Sequence, residues 1–319
     1  MTLDLMTPGR IDTHHHIYPP KYLADAREQI ARATHVHFPR IAQWTPAQSL
    51  EVMDRDGIAT AIVSISPSLW FGDIAATRKI AREWNEYAAE LARDHKGRFA
   101  VFATLPLPDV AASLTEIGHA LDTLGAVGFG LVTNYGDKWP GDEAFAAVFD
   151  ELNRRKAVVY FHPTDSPAFD GILPDVPSPM IEFPFDSTRA IVSLLFGGTL
   201  TRCADIRWIF SHGGGALPML ATRIAGIARN RKDLSARVPN GVLPELKKLY
   251  YDIAGISDPI PFNAIRALVG TSQLLFGTDY PFWSPQVAVK ILDDLGVAGA
   301  ERQKIERGNA LALLPRLAA

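Results

Sequence analysis

The chain has 319 residues, 47% of them hydrophobic, with 32 basic and 35 acidic side chains for a formal net charge of −3. That length suits one α/β barrel with a core that needs no disulfides, and the near-balanced charge removes the electrostatic case for a nucleic-acid partner. The one cysteine, Cys203, excludes an intrachain disulfide and reads as an inert packed thiol; with no apolar run long enough to span a membrane and no leader-like pattern in Met1–Met6, the expectation is a cytoplasmic protein.

The first predicted strand, Arg10–His14, runs into the triplet His14-His15-His16. A long connection from Ile17 to Gln43 follows. The second strand, Ala59–Ile65, precedes a helix at Ile74–Arg93 whose apolar residues recur at helical spacing. Phe99–Leu105 and Val127–Thr133 are the third and fourth strands, and a second amphipathic helix falls at Asp142–Arg155. The fifth strand, Ala157–His162, leads into a proline-rich connection from Pro163 to Asp186 that contains Pro163, Pro167, Pro174, Pro177, Pro179 and Pro184. A helix at Thr188–Thr199 comes next. The sixth strand, Arg207–His212, ends on Gly213-Gly214-Gly215; the seventh is Leu249–Ala254; the eighth, Leu274–Asp279, precedes a helix at Pro285–Leu295. Several of these strands are nearly continuous in Val, Ile, Phe and Tyr, the pattern of strands covered on both faces. Eight strands alternating with helices predict a (β/α)8 TIM barrel, one domain over residues 1–319, with long loops after strands 1 and 5.

Such a barrel places the C-terminal ends of its strands on one rim, where loops build the active site. Four predicted strand ends carry metal-capable side chains: His14 and His16, His162, His212, and Asp279. Residues i and i+2 of a strand share a face, so His14 and His16 reach one ion while His15 points away. With His162 and Asp279 they make three nitrogens and one carboxylate, a donor set that suits Zn²⁺ and also accommodates Mn²⁺, with a position left open. The fourth strand carries no lysine or glutamate to bridge a second ion, so one divalent ion per subunit is expected. An imidazole titrates near neutral pH, and His212, beside the ion and followed by three glycines that let backbone approach a ligand, is the candidate acid/base with Asp279.

Four segments carry a family resemblance: Asp12-Thr13-His14-His15-His16, Phe161-His162-Pro163, Ser211-His212-Gly213-Gly214-Gly215-Ala216-Leu217-Pro218 and Gly277-Thr278-Asp279-Tyr280-Pro281-Phe282. Through them the chain resembles the metal-dependent decarboxylases of the amidohydrolase superfamily, from Ile11 to about Asn309. The resemblance implies one ion on His14, His16, His162 and Asp279, with His212 as acid/base. The first motif is His-x-His, as in the aminocarboxymuconate and 6-methylsalicylate types, rather than the Glu-x-His of γ-resorcylate types. It also implies a substrate-binding arginine at Arg40, and Arg223 and Arg231 reaching across the interface of a homodimer. A guanidinium can clamp a carboxylate with two parallel hydrogen bonds, and Arg189 is the second choice for that role. Trp44, Trp70 and Trp283, with Phe71, Tyr135 and Phe282, are candidate walls for a planar substrate.

The function expected is non-oxidative decarboxylation of an aromatic or muconate-type carboxylic acid, a small-molecule partner. Two rivals use the same residues: a hydrolase in which His212 activates water against a lactone, an amide or a C–C bond, and a non-catalytic binding barrel.

Overall fold

The computed structural model describes residues 9–34, 37–169, 171–173 and 175–318. Met1–Met6 and Pro174 lie outside the described residues. Eight strands, β1 (Arg10–His16), β2 (Ile58–Ser64), β3 (Phe99–Ala103), β4 (Gly128–Val132), β5 (Val158–His162), β6 (Arg207–Phe210), β7 (Tyr250–Asp252) and β8 (Leu274–Leu275), pair in parallel in chain order. The ring closes where β1 meets the chain just beyond β8. Thr13 N donates to Phe276 O at 3.0 Å, Asp279 N to His14 O at 2.8 Å and His16 N to Tyr280 O at 2.8 Å. One outer helix follows each strand: α1 (Pro46–Arg55), α2 (Ile74–Asp94), α3 (Val110–Asp122), α4 (Ala146–Arg154), α5 (Glu182–Phe196), α6 (Leu217–Arg229), α7 (Pro259–Val269) and α8 (Gln286–Asp294). This is the TIM barrel expected from the alternation.

The strands are buried on both faces because two layers of apolar side chains cover them. Between strands and helices lies the larger core, which includes Trp84, Phe149, Phe161 and Phe210. Inside the ring a smaller cluster joins Ile11, Ile62, Phe102, Tyr160, Ile209 and Leu275. Phe102 occupies space that β4 leaves free: a Cβ on Gly128 would lie 3.1 Å from its ring and 2.6 Å from Val158 O. Phe102 stacks on Tyr160 at 5.5 Å, and Tyr160 in turn meets the His14 ring edge-on at 5.4 Å. The site described below therefore rests on an aromatic floor.

Most predicted boundaries shift by a few residues, β1 reaching His16 rather than His14, and three shifts bear on the site. β6 ends at Phe210 and β8 at Leu275, so His212 and Asp279 sit on turns past the strands, not on the strands themselves. Both have left-handed backbone, φ 53° and 57°, which a strand cannot contain. α5 begins at Glu182 rather than Thr188, since Pro184 falls in the first turn, where a missing N–H breaks no intrahelical bond. The long connection after β1 carries short helices at Pro20–Asp25, Arg27–Thr34 and Phe38–Ile41. Among the described residues no helix is long and apolar enough to cross a membrane. Cys203 is buried, and burial pushes its thiol up, away from the reactive thiolate.

Candidate metal centre

The register of β1 against β2 slips between Asp12 and His15, where the chain turns His14 and His16 to the barrel mouth. Their Nε2 atoms are 3.1 Å apart, and each is 3.1 Å from Asp279 Oδ1. His162 Nε2 lies 3.9 Å from the same oxygen. Ligand atoms ~2.0–2.1 Å from a tetrahedral zinc ion are ~3.3 Å apart along the tetrahedron edge; the three 3.1 Å spacings lie close to that edge, and His162 at 3.9 Å stands somewhat outside it. His162 Nε2 and Asp279 Oδ1 are also sealed from solvent without a hydrogen-bond partner. Buried polar atoms are seldom left so, and two facing one point fit a cation between them.

Each ring is held by its other nitrogen. His14 Nδ1 donates to Asp252 Oδ2 at 3.0 Å, His16 Nδ1 to Ser64 O at 3.2 Å and His162 Nδ1 to Pro163 O at 2.7 Å. A proton fixed on Nδ1 leaves the Nε2 lone pair directed into the cluster, the tautomer a metal ligand needs. Burial opposes charge on His14, but Asp252 and Asp279 on either side win and raise it to about 10. Burial lowers His16, and it takes His162 down to about 3. Asp279 is held well below the usual carboxylate range despite its burial, chiefly by His14. A divalent cation here would compete with the proton that His14 holds between two carboxylates.

Asp252 escaped the sequence reading. It ends β7 and is fully buried; besides His14 it accepts from His212 N at 3.0 Å and Ala254 N at 3.0 Å. Burial would raise this carboxyl, yet the adjoining His14 holds it low. The available signal was a lone carboxylate in the apolar run Leu249–Ala254. Gly277 makes room for the pair, since a Cβ there would lie 2.9 Å from both His14 Cβ and Asp252 Cβ.

His212 starts a tight turn through Gly214, its Nε2 3.3 Å from Asp279 Oδ2. Its side chain keeps 24% of its surface exposed, so it faces both the cluster and the mouth. The glycines serve packing. A Cβ on Gly215 would lie 2.0 Å from Pro184 O, where the first turn of α5 lands on this turn and Ala216 N donates to the same carbonyl. His14, His162, His212 and Asp279 offer ligand atoms that all lie within 4.8 Å of one another. On β4, Val132 is in register with His162, and Gly128 and Gly130 carry no side chain. That strand offers no donor for a second ion.

The remaining candidates spread around the mouth and beyond it. Trp44 is buried, with Nε1 donating to Ser49 Oγ at 3.0 Å. Arg40 is exposed, its guanidinium 5.3 Å from the centre of the Tyr280 ring. Trp70 and Phe71 line a cavity of about 680 Å³ with Arg32, Thr164, Asp165 and Phe169, between the loops after β1, β2 and β5. Arg189 stacks on Phe169 at 4.1 Å and reaches Glu182 at 3.9 Å, not Asp186. Asp186 is buried and accepts instead from Thr133, Asn134 and Trp139. Phe282 meets the His16 ring at 5.8 Å, while Trp283 and His212 flank Gly255. The Tyr135 hydroxyl turns back to accept from Val132 N. Arg223 is exposed on α6, and Arg231, just past its end, pairs with Asp233 at 2.6 Å.

A parallel eight-stranded barrel with a three-histidine, one-carboxylate cluster at its mouth is the architecture of a metal-dependent barrel enzyme. The chain belongs to the amidohydrolase family, whose model matches residues 11–316. It is 36% identical to the decarboxylase yanB of Aspergillus niger, over 96% of this chain and 88% of the relative. It is 30% identical to 6-methylsalicylic acid decarboxylase of Penicillium expansum, over 97% of each. A solved dihydroxybenzoic acid decarboxylase from Polaromonas, with bound manganese and the inhibitor 2-nitroresorcinol, superposes with a TM-score of 0.84 at 21% identity, covering 96% of this chain and 97% of that one. The family and the barrel read from the motifs are thus borne out.

Proposed function

We propose that this chain is a metal-dependent carboxy-lyase that removes CO₂ from an aromatic carboxylic acid. The observation that carries this reading is the placement of His212 Nε2 beside Asp279 Oδ2 at the rim of a buried three-histidine cluster, in a chain whose relatives are named decarboxylases. His14, His16, His162 and Asp279 would hold one divalent ion. The nitrogen-rich donor set favours Zn²⁺, and the manganese of the Polaromonas relative supports Mn²⁺. When bound, such an ion orients the substrate's oxygens and draws off developing negative charge.

In the reaction the bond between ring carbon and carboxyl carbon breaks, its electron pair stays on the ring carbon and CO₂ leaves. His212 delivers a proton to that carbon, and Asp279 Oδ2, 3.3 Å from its Nε2, orients the ring. The exposed side of His212 lets solvent return the proton. Tyr160, Phe282 and the buried floor keep the surroundings dry, which strengthens each charge interaction at the site. Arg40 is the first choice to clamp a carboxylate. For the partner arginines, a homodimer is the natural source: Met219 and Ile227, 70% and 51% exposed, lie one turn either side of Arg223 on α6 and give it an apolar setting. The single buried cysteine accords with a cytoplasmic setting.

The test is CO₂ release from a panel of hydroxybenzoic acids that includes 6-methylsalicylic acid, run beside a panel of lactones with a pH indicator. CO₂ release that needs a divalent ion is the expected outcome. Acid release from lactones without any CO₂ would overturn the reading in favour of a hydrolase.

A further inference from the structure

His15 is the member of the His14-His15-His16 triplet that the ion site does not use, yet it is fully buried and both ring nitrogens are engaged. We propose that His15, with Ser49 and Trp44, forms a strut that positions the ion-binding residues His14 and Asp279. The inference rests on the reading that this cluster holds a divalent ion.

The strut has a defined direction. The Trp44 indole N–H can only donate, and it donates to Ser49 Oγ at 3.0 Å. The hydroxyl hydrogen of Ser49 is then free to face His15 Nε2 at 3.0 Å, and His15 Nδ1–H donates to Asp12 Oδ2 at 3.1 Å. A ring with its proton on Nδ1 satisfies both ends. Asp12, also fully buried, passes the constraint on. Its Oδ1 accepts from His14 N and Thr278 N, both at 3.0 Å, and its Oδ2 accepts from Thr278 Oγ1 at 2.6 Å. One carboxylate therefore grips a metal-capable residue of β1 and the residue just before Asp279.

The residue just after Asp279 is held too. Tyr280 stacks on the His15 ring at 4.8 Å with 27° between planes. Asp279 thus has both chain neighbours fixed by the Asp12–His15 pair, and it keeps a left-handed backbone that residues other than glycine seldom adopt. Such a conformation persists only where the surroundings over-determine it. At its far end the strut reaches Trp44, where the long loop after β1 joins α1, and Arg40 of that loop lies over Tyr280. Loop and ion site are therefore mechanically joined through His15.

The experiment measures Mn²⁺ and Zn²⁺ affinity by competition with a chromophoric chelator, together with kcat, KM and the melting temperature of the metal-free protein. The variants are Ser49→Ala, Ser49→Thr, Trp44→Phe and His15→Phe. Ser49→Ala and His15→Phe should bind both ions about tenfold more weakly, the range for residues that orient metal ligands. In Ser49→Ala kcat should fall more than KM rises, and Ser49→Thr, which restores the hydroxyl, should recover most of the affinity. Trp44→Phe should show a smaller effect of the same sign. If Ser49→Ala stays folded and binds both ions as tightly as the wild type, the strut is only structural and the proposal is overturned. If the wild type itself takes up neither ion, the ion-site reading fails first, which the wild-type titration shows independently of the variants.

Discussion

A His212→Asn variant should retain its divalent ion and lose ~10²–10⁴-fold in kcat/KM for CO₂ release, the usual worth of a positioned acid/base group. Asparagine is the informative replacement because His212 has φ 53°, and asparagine tolerates left-handed backbone better than most residues. The turn and its bond from His212 N to Asp252 should therefore survive. What disappears is the imidazole 3.3 Å from Asp279 Oδ2, and with it the proton source. Metal content by elemental analysis and CO₂ release on the same sample decide the matter. Full metal content with lost turnover assigns His212 to proton delivery. Stoichiometric loss of the ion would instead make His212 a ligand, an arrangement its proximity to His14 and His162 would allow.

The second large effect concerns a residue that touches no ion. In an Asp252→Asn variant the amide can still offer a carbonyl oxygen to His212 N and Ala254 N, but it then turns its NH₂ toward His14 Nδ1. A donor facing Nδ1 demands the opposite tautomer, with the proton on Nε2, where the lone pair for the ion should be. The buried anion that holds His14 in place is lost as well. Divalent-ion affinity should fall ~100-fold, the upper end of the range for such partners, with turnover restored only at high metal concentration. Equilibrium dialysis against Mn²⁺ or Zn²⁺ measures this. Unchanged affinity in a folded variant would show that His14 is oriented by other contacts.

The parts of this protein legible in its sequence were those encoded by short-range pattern. Short apolar runs, several of them nearly continuous, marked the eight strands because both faces of the sheet are covered. The i, i+2 spacing placed His14 and His16 on one face, and it separated them from His15. Asp252 was not legible, because its meaning comes from facing His14 across the ring, and a single carboxylate in a strand carries no spacing to read. The same holds for Ser49, which gains its part only when α1 packs beside His15. The turns at His212 and Asp279 were read as strand because nothing in the letters of an apolar run announces where the backbone turns left-handed. Loop residues were the least legible. Trp44 reads as a wall for a planar substrate, and the structure buries it; Arg189 reads as the second choice to clamp a carboxylate, and the structure sets it on Phe169 and near Glu182.

The meeting of β1 with the chain beyond β8 has a further consequence. The eighth strand is only two residues long, and the bonds that shut the ring come from Thr13, His16 and Asp279, within or beside the ion-binding set. The first and last segments of the barrel are thus fastened by the residues that would grip the cation. Ion capture and ring closure would therefore share one clasp: a cation held by His14, His16 and Asp279 would add its bonds to the backbone bonds that already join β1 to the chain beyond β8, and would stabilise the closed ring by mass action.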